Sequence, residues 1–177
     1  MRCFVAVDID DALRQKIVNL QKELAPLIIG KEVERENLHF TLKFLGEIHD
    51  EQVNDVKIAL AGIANNFEKF DIDIIGIGAF PSKGYVRVVW IGAPKLFNLQ
   101  KAVCDSLESF GKEKDITPHL TIARVKNVKD KKMLAEFFRK HENINLGTLA
   151  ITNIKLKKST LVATGPIYED VDGYDLR

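Results

Sequence analysis

The chain has 177 residues, 46% of them apolar, and a formal net charge of +1 at pH 7, the profile of one ordinary globular domain rather than of a polybasic nucleic-acid tail. No apolar run reaches membrane-spanning length, and the opening Arg2-Cys3-Phe4-Val5-Ala6-Val7-Asp8 reads as a strand with no signal-peptide pattern, so a cytoplasmic protein is expected. The two cysteines, Cys3 and Cys104, have neither metal nor redox spacing and read as small buried thiols.

Residues 2–8 predict a strand. Residues 11–27 predict a helix, with Leu13, Ile17, Leu20 and Leu24 on one face behind Asp10 or Asp11 as N-cap. Asn37 to Leu45 alternates in polarity and is rich in Leu, Phe and Thr, a strand pattern. A second helix follows over 50–66, then a strand from Phe70 towards Phe80. The turn Pro81-Ser82-Lys83-Gly84 joins it to Val86–Ile91 as a hairpin. A third helix is read over 94–110, a second alternating strand over 117–125 and a fourth helix over 130–140. Strands are expected near 145–157, 159–163 and 165–168. Short connections in this order favour antiparallel sheets flanked by helices, an α+β fold, with neither linker nor low-complexity tract.

One pattern occurs twice, His39-Phe40-Thr41-Leu42 and His119-Leu120-Thr121-Ile122, eighty positions apart. Chance produces such a pair about once in a thousand sequences of this composition. On a strand, side chains alternate faces, so His39, Thr41 and Lys43 share one face and Phe40, Leu42 and Phe44 the other; His119 and Thr121 likewise stand together. A motif in each half of a duplicated unit suggests two lobes whose motif faces line a cleft. The remaining histidines, His49 and His141, lie at helix ends and read as solvated or capping residues.

Two imidazoles that titrate near neutrality can divide the work of base and acid across a phosphodiester. Thr41 and Thr121 can donate to phosphate oxygens, and Lys43 or Arg124 can offset the charge that builds there. Arg124 stands five positions after His119, so it reaches the same face only through a bulge or at the strand's end. Lysines and arginines crowd the second half from Lys112 to Lys158, where they would attract a phosphate-bearing ligand. A metal centre is poorly supported: neither motif holds a carboxylate or cysteine, and no H-x-H or H-E-x-x-H spacing occurs. Nucleophile-elbow and P-loop motifs are missing as well. Of the aromatics that could contact a base, Phe44 and Trp90 read as core, and Tyr85, beside the hairpin turn, is the open candidate for stacking.

The paired motifs resemble those of the 2H phosphoesterase superfamily. Arg2-Cys3-Phe4-Val5-Ala6-Val7, Asn37 to Gly46, Trp90-Ile91-Gly92 and Pro118 to Arg124 together are similar to the RNA 2′,3′-cyclic phosphodiesterases of the LigT/ThpR family, over nearly the whole chain. The resemblance implies a bilobal LigT-like fold, with two pseudo-symmetric lobes of antiparallel sheet and helices around a central cleft, making one domain over 1–177. It implies hydrolysis of an RNA 2′,3′-cyclic phosphate to a 2′-phosphate without metal or other cofactor, and the joining of tRNA halves through a 2′-5′ linkage. Under it His39 is the proton donor and His119 the acceptor, although the residues alone do not distinguish the imidazoles. Thr41, Thr121, Lys43 and Arg124 then bind phosphate. The expected partner is an RNA end, with no obligate protein partner, no membrane and a monomeric chain. The alternatives are a non-catalytic module that binds nucleotides or RNA ends, and a relative acting on 2′,5′-linked oligonucleotides or small cyclic nucleotides.

Overall fold

The computed structural model describes residues 1–177. Its ten strands and four α-helices run β1 (Arg2–Asp8), α1 (Asp11–Leu24), β2 (Ile28–Glu32), β3 (His39–Glu47), α2 (Asp50–Asn66), β4 (Phe70–Ile75), β5 (Ile77–Ser82), β6 (Tyr85–Gly92), α3 (Phe97–Ser106), β7 (His119–Val128), α4 (Lys131–Lys140), β8 (Asn145–Ile151), β9 (Asn153–Val162) and β10 (Gly165–Asp175). They build an antiparallel sheet in the order β10-β9-β1-β3, a second in the order β2-β7-β6-β5, and the small pair β4-β8.

The lobes are not consecutive halves of the chain. The C-terminal strands β9 and β10 complete the sheet of β1 and β3, while β2, from the N-terminal part, pairs with β7. One apolar core of 45 residues runs through both lobes and includes Phe40 and Leu42 from β3 and Leu120 and Ile122 from β7. Each motif strand therefore sends its apolar face into the shared core and leaves its histidine face open, as alternation requires.

Local chemistry explains where the elements stop. Asp10 caps α1 by accepting from Leu13 N–H at 2.8 Å. The helix ends at Leu24, short of the expected Leu27, because Pro26 has no N–H to continue the ladder; residues 25–27 form a 3₁₀ turn instead. The third helix contracts to Phe97–Ser106, with 3₁₀ turns on both sides. The run near 145–157 breaks at Thr152, because β8 pairs with β4 while β9 pairs with β1 and β10. Strand β2 has no clear signal: of its residues only Ile28 is buried, and pairing with β7 gives it form.

The two motif strands share one irregularity. Along β1 the partners of Val5 and Ala6 are Lys43 and Thr41, which leaves Leu42 as an extra residue in β3. Along β6 the partners of Val89 and Trp90 are Ala123 and Thr121, which leaves Ile122 as an extra residue in β7. Both bulges fall three positions after the motif histidine and reverse the facing of the residues directly beyond them, up to further irregularities at Leu45 in β3 and Lys126 in β7.

Candidate active site

A cleft of about 500 Å³ opens where the two motif faces meet, and His39, Thr41, His119, Thr121 and Arg124 all line it. The structure thus gathers all six anticipated site residues around one space, with Lys43 among the lining residues although its ammonium is turned away from the opening.

The backbone fixes each imidazole. His39 Nδ1 lies 2.6 Å from the Asn37 carbonyl, and His119 Nδ1 lies 2.6 Å from the Thr117 carbonyl, so in both rings Nδ1–H donates and Nε2 is left for chemistry. Thr41 Oγ1 stands 2.8 Å from His39 Nε2. Aromatic rings wall in both histidines: Phe4 at 5.0 Å and Tyr168 at 5.3 Å from His39, Phe80 at 4.9 Å and Trp90 at 6.0 Å from His119. Burial disfavours the charged form and pushes His39 down to about 4, against the Asn37 carbonyl, which favours it. Burial also lowers His119, again opposed by its carbonyl partner. Both rings therefore rest neutral at pH 7.

The bulges place the two basic candidates differently. Beyond Ile122, Arg124 comes round to the cleft, exposed and with no ion-pair partner, which meets the condition its spacing imposed. Lys43 does not stand free on the cleft face. The bulge at Leu42 turns it inward, its side chain has 0% exposure, and Nζ donates to the Gly111 carbonyl at 2.6 Å with Glu113 at 3.6 Å. Its counterpart in the second motif is Ala123, whereas Phe44 is the counterpart of Arg124. Phe44, expected in the core, accordingly stands 63% exposed on the cleft wall.

Much of the basic crowding in the second half is internally neutralised. Lys155 and Lys157 each meet both Asp8 and Asp170, Lys158 approaches Glu169, and Lys112 pairs with Glu108. The signal was available in acid-rich β10, which lies against lysine-rich β9. Tyr85 is exposed but carries the Arg87 guanidinium over its ring and does not line the cleft. His141 Nε2 bonds Glu23 at 2.9 Å and His49 N–H donates to Gln52 at 2.9 Å, both at helix ends. Cys3 and Cys104 are buried. Nowhere do three His, Cys, Asp or Glu side chains gather to hold a metal ion. Sequence reasoning missed Phe4 and Tyr168, because nothing local ties β1 or β10 to the motif.

Trp90 reaches His119 only because residue 78 has no side chain. A Cβ there would lie 2.3 Å from Trp90 Cζ2. Gly78→Ala is expected to displace the indole, cost about 1–3 kcal/mol of stability and disturb the wall beside His119, measured together as denaturant midpoint and turnover. Unchanged values for both would show that this wall does not define the site.

The LigT-like phosphoesterase profile matches residues 7–90 and 92–168 of this chain. A protein of Archaeoglobus fulgidus named RNA 2′,3′-cyclic phosphodiesterase is 40% identical over 97% of this chain and 98% of its own length. One of the same name from Methanothermobacter thermautotrophicus is 36% identical over 99% of each. A crystal structure from Thermus thermophilus superimposes with a TM-score of 0.85 at 26% identity, covering 100% of this chain and 98% of that one.

Proposed function

Since the chain belongs to the LigT-like phosphoesterase family, we propose that it opens the 2′,3′-cyclic phosphate of an RNA end to a 2′-phosphate, with His39 as proton donor and His119 as proton acceptor. The observation that carries this reading is the convergence of two backbone-anchored imidazoles, each with Nε2 left for chemistry, on one cleft with an unpaired arginine.

In the proposed step His119 Nε2 takes a proton from water as the water oxygen attacks phosphorus. The bond from phosphorus to O3′ breaks, and protonated His39 delivers its Nε2 proton to that oxygen. The products are a 2′-phosphate and a free 3′-hydroxyl, and solvent exchange returns both rings to their starting states. Thr41, Thr121 and Arg124 hold the non-bridging oxygens, while Lys43 holds the 111–113 segment rather than the phosphate. An RNA 5′-hydroxyl in place of water gives a 2′-5′ linkage by the same bond changes, so joining of tRNA halves falls within the proposal.

The proposal takes the chain as one domain over 1–177, supported by the mixing of distant strands in each sheet, and as a monomer, for which it needs no second copy to supply a histidine. A cytoplasmic location belongs to the same proposal; no helix is long and apolar enough to cross a membrane.

An RNA oligomer ending in a 2′,3′-cyclic phosphate, incubated with the protein in EDTA, should yield the 2′-phosphate. A 3′-phosphate product, or none, would contradict the reading.

The lowered histidines give a signed pH prediction. Protonated His39 is scarce in the free protein above about pH 5, given its value of about 4. The anionic phosphate favours imidazolium once bound. The alkaline limb of kcat is therefore expected at higher pH than that of kcat/KM, because the former reports the complex and the latter the free protein. Coincident limbs would count against a charge-assisted acid.

A further inference from the structure

At both bulges a buried glutamine meets the backbone. The carbonyl of Leu42, the extra residue of β3, accepts from Gln100 Nε2 at 3.2 Å and from the Cys104 thiol at 3.5 Å, both on α3. The carbonyl of Ile122, the extra residue of β7, accepts from Gln21 Nε2 on α1 at 2.9 Å and from Val33 N–H at 2.9 Å. Gln21 and Gln100 are 6% and 8% exposed; besides them only Asn37 and Lys43 are buried among the polar and charged residues.

A bulge interrupts the ladder and leaves a carbonyl in need of a donor, and a buried carbonyl without one is costly. Strand β3 is the edge of its sheet, so no neighbouring strand supplies the bond to Leu42, while Ile122 has only Val33 N–H, one residue past the end of β2, to which Gln21 adds a second donor. Both glutamines reach in from helices. Gln21 spends its second amide proton on the Val33 carbonyl at 2.9 Å, joining the end of β2 to the bulge. Gln100 Oε1 has no protein partner, so the Leu42 carbonyl is the one polar anchor of that side chain.

We infer that Gln21 and Gln100 are positioning residues of the reaction, each pinning the bulge that turns the side chain two places on, Arg124 in β7 and Phe44 in β3, into the cleft. The arrangement repeats on two helices and two strands with the same side-chain type and the same backbone acceptor, although α1 serves the second motif and α3 the first. Relaxing either bulge would restore simple alternation and carry Arg124 or Phe44 away from the histidine face. The inference rests on the cleft being the catalytic site proposed above.

Gln21→Met keeps the bulk and removes the donors. It is expected to lower kcat/KM about tenfold, chiefly through KM, in the otherwise unchanged protein, and less than about twofold in an Arg124→Ala background, because the arginine is the group through which Gln21 acts. Gln100→Met against Phe44→Ala should couple in the same way. Equal losses in both backgrounds would mark the glutamines as merely structural and overturn the inference. If Gln21→Met does not fold, Gln21→Asn, too short to reach both carbonyls, is put through the same cycle with the same criterion. The Kd of each protein for an RNA ending in a 2′-phosphate gives a reading that needs no turnover. Coupling in Kd with an inactive parent protein would overturn the hydrolytic reading and leave the positioning role standing; additive Kd changes would overturn the positioning role itself.

Discussion

His39→Ala and His119→Ala are each expected to lower kcat on a 2′,3′-cyclic phosphate by about 10²–10⁴-fold, the range that a positioned proton donor or acceptor contributes. Each imidazole is held through Nδ1 by a carbonyl two residues before it and presents Nε2 to the cleft. No neighbouring histidine can stand in, because His49 and His141 lie at helix ends away from the cleft lining. Stability should change little by comparison, since His39→Ala deletes two side-chain hydrogen bonds and His119→Ala one, each worth about 1 kcal/mol. If the two rings act as a unit, as proposed, the double variant should lose only slightly more than the worse single one. Multiplied losses would mean that the two histidines contribute independently of each other rather than as a unit.

Arg124→Ala and Lys43→Met should separate in kind. Arg124 lines the cleft without an ion-pair partner, so its removal takes away charge aimed at the phosphate and little else. A loss of about 10²-fold in kcat/KM is expected, with an almost unchanged melting temperature, by analogy with deleting one transition-state donor. Lys43 is buried, and its ammonium joins β3 to the Gly111 carbonyl and Glu113. That segment runs on to Thr117, whose carbonyl fixes His119. Lys43→Met should therefore cost about 1–2 kcal/mol of stability, from a carbonyl left without its donor, and less activity than Arg124→Ala. The opposite ranking in activity would return Lys43 to the phosphate.

The alternation of Phe40 and Leu42 against His39 and Thr41 was legible because it is a local property of a strand with one buried face. The helices over 11–24 and 50–66 were legible for the same reason at a different period. The bulges were not, since they follow from how β3 meets β1 and β7 meets β6, and no residue type in the motifs demands them. That one feature exchanged the expected places of Lys43 and Phe44 and brought Arg124 to the site. Strand β2 escaped notice because its form comes from a partner a hundred residues along the chain, Ile28 facing Val128. Tyr168, Gln21 and Gln100 reach the site region from β10, α1 and α3 and have no sequence neighbour in either motif.

The division of labour between the two histidines is tested most directly with an RNA end whose cyclic phosphate carries sulfur in place of the 3′ bridging oxygen. A thiolate departs without a proton, since a thiol's pKa is about 8.5, so the proton donor becomes dispensable while the acceptor does not. His39→Ala is predicted to turn this substrate over within about tenfold of the unchanged protein, and His119→Ala to remain as impaired as on the oxygen substrate. Rescue of His119→Ala instead, or equal losses in both variants, would contradict the assignment of His39 as acid and His119 as base.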